Sequence, residues 1–137
     1  MLAKRVCGAR WGKNTPGGVL ASDTDTGTVL WAPPGLVMGT DNMPGGLSHA
    51  ERINLDRLVK YLPGKIPATF VGGITVDVMT GRGPCPKWCR GAIASGEWLE
   101  ELAGVMPPGV TSLTLNWWVV ADTGDYSLYW QQVYQWY

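Results

Sequence analysis

The chain has a single histidine, and a glutamate follows it by two positions: His49-Ala50-Glu51, within the stretch LSHAERINL. Further on, GRGPCPKWCRGAI holds two of the three cysteines, Cys85 and Cys89, directly after Pro84 and with three residues between them. Imidazole and thiolate are ligands that Zn²⁺ takes readily, and a catalytic zinc keeps three protein ligands and an open fourth position. His49, Cys85 and Cys89 make a set of that size. Residues i and i+4 of a helix share a face, so both cysteines can turn to one ion. A helix N-terminus also favours the thiolate form. Glu51 would sit beside the metal without binding it, placed to accept a proton and hand it on.

Plainer readings compete with this one. Ser48 to Glu51 also fits a capping box, S-x-x-E before an apolar helix. Arg82, Lys87 and Arg90 around the cysteines also suit an ordinary solvated surface. Three cysteines do not make a disulfide framework in a domain of this size. Cys7 is left with no assigned role. No G-x-S-x-G elbow supports a serine hydrolase, and the cysteine gap is wrong for a thioredoxin-like C-x-x-C.

These residues need elements to hold them. A helix is expected from Ser48 to about Leu62, because Ile53, Leu55, Leu58, Val59 and Leu62 recur at helical spacing before Pro63-Gly64. A second helix is expected from Pro84–Pro86 to about Ala103, with Cys89, Ala92, Ile93, Leu99 and Leu102 inward. Gly96 breaks it, and Ser95 caps the second piece. GGVLAS and TGTVLWAP read as a hairpin around DTDTG. Pro33–Gly46 reads as a long functional loop. The alternation of Ile74, Val76 and Val78 marks a strand with one buried face, and VTSLTLNWWVVA marks another. The tail YSLYWQQVYQWY fits strand or helix. Residues 1–16 read as a loosely structured lead-in. Strands alternating with helices predict a layered α/β domain.

A length of 137 residues suits one domain, 1–137, and 45% apolar against 16% charged residues is enough for a core and too little charge for a disordered chain. Eleven Lys and Arg balance eleven Asp and Glu, so overall charge does not announce a polyanionic partner. Locally, residues 1–22 carry Lys4, Arg5, Arg10 and Lys13 and no acid. No apolar run is long enough to cross a membrane as a helix, and the N-terminus lacks the apolar core of a signal peptide. Four of the eight tryptophans, Trp117, Trp118, Trp130 and Trp136, fall on strand or tail segments and are expected to serve the core or an interface.

Taken together, His49-Ala50-Glu51 and Pro84-Cys85…Cys89 resemble the H-x-E and P-C-x-x-C signature of zinc-dependent nucleobase deaminases, with one more residue between the cysteines. Over about Gly17 to Val120 the chain is similar to the cytidine-deaminase superfamily. Its glycine-rich lead, short length and MPPGV step resemble the deaminase domains at the C-termini of bacterial polymorphic toxins. The resemblance implies a three-layer α/β/α cytidine-deaminase-like fold with a mixed, roughly five-stranded sheet. It implies Zn²⁺ on His49, Cys85 and Cys89, and hydrolytic deamination of cytosine to uracil at C4. Glu51 would protonate N3 and then the departing amine. Thr40 and Asn42 would contact the base, and Trp88 would stack on it. Arg82, Lys87 and Arg90 would meet phosphates. The implied partners are a nucleic-acid substrate, DNA ahead of RNA, and a cognate immunity protein, with no membrane. The implied setting is a secreted or delivered toxin domain acting in the cytoplasm of a target cell. Two alternatives stay open: a free-nucleoside or RNA adenosine deaminase of the same fold, and a structural zinc domain that only binds a partner. The last predicts a fourth protein ligand in place of water, with Cys7 the only other thiol.

Overall fold

The computed structural model describes residues 2–8, 15–39, 49–81, 89–121 and 123–136. Over these residues the elements run α1 (Leu2–Gly8), β1 (Thr15–Asp23), β2 (Val29–Trp31), β3 (Val37–Gly39), α2 (Ala50–Lys65), β4 (Gly72–Thr80), α3 (Cys89–Ala94), α4 (Glu97–Ala103), β5 (Val110–Val120) and β6 (Tyr126–Gln135). The strands form one six-stranded mixed sheet in the order β2-β1-β4-β5-β6, with β3 also pairing with β1. Only β4 and β5 run parallel. The other pairs, β1–β2, β1–β3, β1–β4 and β5–β6, are antiparallel.

Strand alternation divides the core in two. Val19 and Ala21 of β1, Ile74, Val76 and Val78 of β4, and Leu113, Leu115 and Trp117 of β5 share one face with Leu55, Leu58 and Leu62 of α2. Ile93 of α3 and Leu99 and Leu102 of α4 complete that cluster. On the other face Leu20 and Met79 pack with Leu2, Ala3 and Val6 of α1. Helices therefore flank the sheet on both sides, in an α/β/α layering. Leu55, Leu58 and Leu62 are fully buried, and burial of each contributes about 1.5–3 kcal/mol. That is the main reason α2 lies where it does.

Several expectations change in detail. The loose lead-in expected over residues 1–16 is helix at Leu2–Gly8 and strand from Thr15. Seven residues are too few for a helix to be stable alone, so α1 exists by burying Leu2, Ala3 and Val6. The long loop expected over Pro33–Gly46 contains the short strand β3, and its later part lies outside the described residues. The first site helix starts at Ala50 rather than Ser48 and runs through Pro63 to Lys65. The second begins, among the described residues, at Cys89, and the expected break at Gly96 divides it into two helices, with Gly96 rather than Ser95 at the N-cap of the second. The division is chemical: Gly96 takes φ 79°, a conformation that favours glycine. Ser95 Oγ accepts the Glu97 N–H at 3.3 Å and donates to the Ala92 carbonyl at 3.1 Å. The ambiguous tail is a strand, β6, and brings the sheet to six strands rather than five.

Candidate active site

Apart from Asn116 on β5, the buried polar residues among those described gather in one place. His49, Glu51 and Asn54 lie in and before the first turns of α2, and Thr80 ends β4 on the same, helix-covered face. Most of the rest of that face is apolar, with Gln132 of β6 the polar exception. One end of the core, where α2 begins and β4 stops, therefore concentrates polar groups that are costly to bury without a purpose.

Close approach of backbones makes this end compact. A Cβ at Gly39 of β3 would collide with the Ala50 backbone nitrogen at the start of α2. At Gly17 of β1 it would come within 2.8 Å of Asn54 Nδ2 and 3.0 Å of the Ala50 Cβ. Two glycines on adjacent strands thus let the N-terminus of α2 rest directly on the sheet. Arg52 holds the same turn sideways. Its guanidinium donates to both carboxylate oxygens of Glu101 on α4, at 3.0 and 3.1 Å, and pairs with Asp56 at 2.8 Å. It also lies 5.8 Å above the Trp98 ring.

His49 is the N-cap residue of α2, with an extended backbone. Its Nδ1 stands 3.4 Å from the Sγ of Cys89, the first residue of α3. Both side chains are buried. Two ligands of one tetrahedral zinc, a thiolate at about 2.3 Å and an imidazole at about 2.0–2.1 Å, stand about 3.6 Å apart. The observed separation is close to that value. As it stands the contact is a thiol–imidazole hydrogen bond; around an ion the same two atoms would be adjacent ligands. The donor chemistry and spacing fit a zinc ion. Among the described residues, no three of His, Cys, Asp and Glu stand close enough to hold an ion. The third expected ligand, Cys85, lies outside the described residues. Cys7 packs on the opposite face of the sheet, beside the α1 cluster, and does not stand with Cys89.

Glu51 is 4% exposed. Burial pushes its carboxyl from 4.5 up to about 7, although its own backbone N–H partly offsets the rise. A carboxyl poised near neutrality can give or take a proton at physiological pH. The capping-box register does not form: the N-cap is His49, with no side-chain capping hydrogen bond, and Glu51 is the second helical residue.

No protein-family model matches this chain. No curated protein matches it either.

The remaining expected site residues divide cleanly. Arg90 follows Cys89 on α3 and is exposed. Thr40, Asn42, Arg82, Lys87 and Trp88 lie outside the described residues. Two polar residues were not singled out from the sequence. Thr80 continues the inward alternation of Ile74, Val76 and Val78, so the period of β4 carried the signal. Asn54 is fully buried and accepts from Arg57 Nη1 at 3.1 Å through Oδ1, and its Nδ2 has no partner among the described residues. An asparagine inside a predicted helix gives no such hint. Trp117 is buried and packs on Trp98 with ring centroids 5.7 Å apart, as expected of a core aromatic.

Proposed function

We propose that this chain is a zinc-dependent deaminase of nucleic-acid cytosine, DNA ahead of RNA, with a cytidine-deaminase-like fold. The observation that carries the reading is the 3.4 Å approach of His49 Nδ1 to Cys89 Sγ, with the buried Glu51 two residues from the histidine. A mixed sheet with helices on both faces, and the chemistry gathered where two helices begin, support the fold half of the proposal.

In this reading His49, Cys89 and Cys85 hold the ion. A zinc ion there would supply a polarised water for attack on C4. Glu51 would take one proton from that water and deliver it to N3 of cytosine. It would then take the second proton of the same oxygen and deliver it to the amine, which leaves as ammonia when the C4–N bond breaks. Its raised pKa suits both directions of transfer, since one carboxyl must be base and then acid in a single turnover. The buried position keeps bulk water from competing for the proton. Arg90 on the exposed side of α3 stands where a phosphate can reach it. A toxin domain of this kind would be delivered into a target cell and held in check by an immunity protein.

The test is a deamination assay on purified protein beside Glu51→Ala. Single-stranded DNA, duplex DNA, RNA and free cytidine are offered in parallel, and zinc is measured on both proteins. Uracil in one polymer, lost in the variant while zinc stays bound, is the expected result. Stoichiometric zinc with no product from any substrate, adenine-containing ones included, overturns the catalytic proposal and leaves a structural zinc domain.

A further inference from the structure

We infer that Gln132, on the last strand of the sheet, is a positioning residue for the metal site: its amide fixes the far end of α3 so that Cys89 stays against His49. The inference rests on the metal reading above and adds to it a residue 43 positions beyond Cys89 in sequence.

Among the described residues α3 has six, far fewer than an isolated helix needs, so its axis is set by what it touches. Cys89 and Ile93 stand one turn apart, and both are fully buried. At one end, Cys89 meets His49. At the other, the Ile93 carbonyl belongs to the last turn, where helical carbonyls lack intrahelical partners. Two donors reach it: the Gly96 N–H, at 3.1 Å, and the side-chain amide nitrogen of Gln132. Gln132 pairs with Leu115 across β5–β6, and its side chain rises from the helix-covered face. It therefore links the metal helix directly to the sheet.

The amide does this at a cost. Its oxygen, Gln132 Oε1, is buried and has no partner among the described residues. A buried acceptor left unpaired is unfavourable by about 1–3 kcal/mol. An apolar side chain of similar size would avoid that cost. The Ile93 carbonyl would keep its bond from Gly96, so the fold itself has little need of the amide. What the amide adds is direction, pulling the C-terminus of α3 toward β6 and setting the angle at which Cys89 faces the histidine.

That division of roles gives opposite signs for folding and for metal binding. In Gln132→Leu the metal-free melting temperature should stay level or rise. Affinity for metal should fall about tenfold, the low end of what remote orienting groups contribute at metal sites. Gln132→Glu keeps the size but loses the donor at pH 7, and should weaken metal binding at least as much. The experiment titrates Co²⁺ into metal-free wild type and both variants, reading the thiolate-to-cobalt absorption, and competes Zn²⁺ against a chelator. Thermal melts of the metal-free proteins run alongside. Weaker binding and a shifted cobalt spectrum with an unchanged melt bear the inference out. Wild-type affinity in both variants overturns it while leaving the metal reading intact. A parallel fall in melting temperature and affinity also overturns it, because Gln132 would then be an ordinary fold contact. A wild type that takes up no cobalt overturns the metal reading itself.

Discussion

Glu51 is costly to the fold, and under the proposed function the same burial would serve the chemistry. It lies in the first turn of α2, where the positive end of the helix favours a carboxylate. Burial outweighs that preference and raises its pKa from 4.5 to about 7. The sign of the stability effect follows. Below about pH 4.5 the carboxyl is protonated in both folded and unfolded chains and has no effect. As pH rises, the unfolded chain releases its proton first, so the metal-free fold loses stability between about 4.5 and about 7 and then levels off. The loss is on the order of 3 kcal/mol. Urea melts of metal-free protein from pH 4 to 8 should show this slope, and Glu51→Gln should flatten it. A bound zinc ion favours the carboxylate and should also flatten it. Glu51 stands out in the sequence because H-x-E is a pattern of side-chain types that metal-assisted proton transfer would ask for. The burial of Thr80 follows from the period of β4, whereas nothing marks Asn54, whose burial comes only from where the helix delivers it.

At the scale of elements, the site depends on how closely α2 approaches the sheet. Gly39 is the tightest point: any Cβ there meets the Ala50 backbone nitrogen, which cannot rotate aside as a side chain could. Gly39→Ala should lift the N-terminus of α2, carrying His49 away from Cys89. A loss of about 2–3 kcal/mol is expected from such a backbone clash. The melting temperature should fall by several degrees, with zinc affinity falling beyond what the melt explains. A melt and zinc affinity equal to wild type would show that α2 does not rest on β3 this way. The sequence showed α2, β4 and β5 clearly because each buries one face at a regular period. It did not show α1, because Leu2, Ala3 and Val6 make too short a stripe to reveal a period. It left β6 undecided for a different reason. Trp117 and Trp118 pair with Trp130 and Leu128, so Tyr129 is an extra residue in the ladder and breaks the alternation that would have marked a strand.

Charge and edges are properties of the whole molecule. With a net charge of zero, the proposed binding of nucleic acid would rest on a few local cations and on stacking. If Arg82, Lys87 and Arg90 are the phosphate contacts, log affinity should fall with log salt at a slope of about −2 for single strands and about −3 for duplex. A much steeper slope, measured by fluorescence anisotropy with Glu51→Ala protein, would mean that other cations such as Lys4 and Arg5 take part. The two sheet edges are also unlike. The β2 edge has three residues, and the turn leading to it carries Asp23 and Asp25. Short, charged edges resist pairing with other chains. The β6 edge has ten residues, none charged, and exposes Tyr126, Leu128, Trp130 and Val133. Its one built-in guard is the bulge at Tyr129, which interrupts the ladder midway. Val133, 57% exposed, lies in the uninterrupted half. Val133→Lys should therefore raise the concentration and temperature at which light scattering begins. It should leave the melting free energy within about 0.5 kcal/mol of wild type, as surface changes usually do. Unchanged scattering would mean that the bulge alone protects the edge. A large destabilisation would mean that Val133 packs against the fold rather than facing solvent.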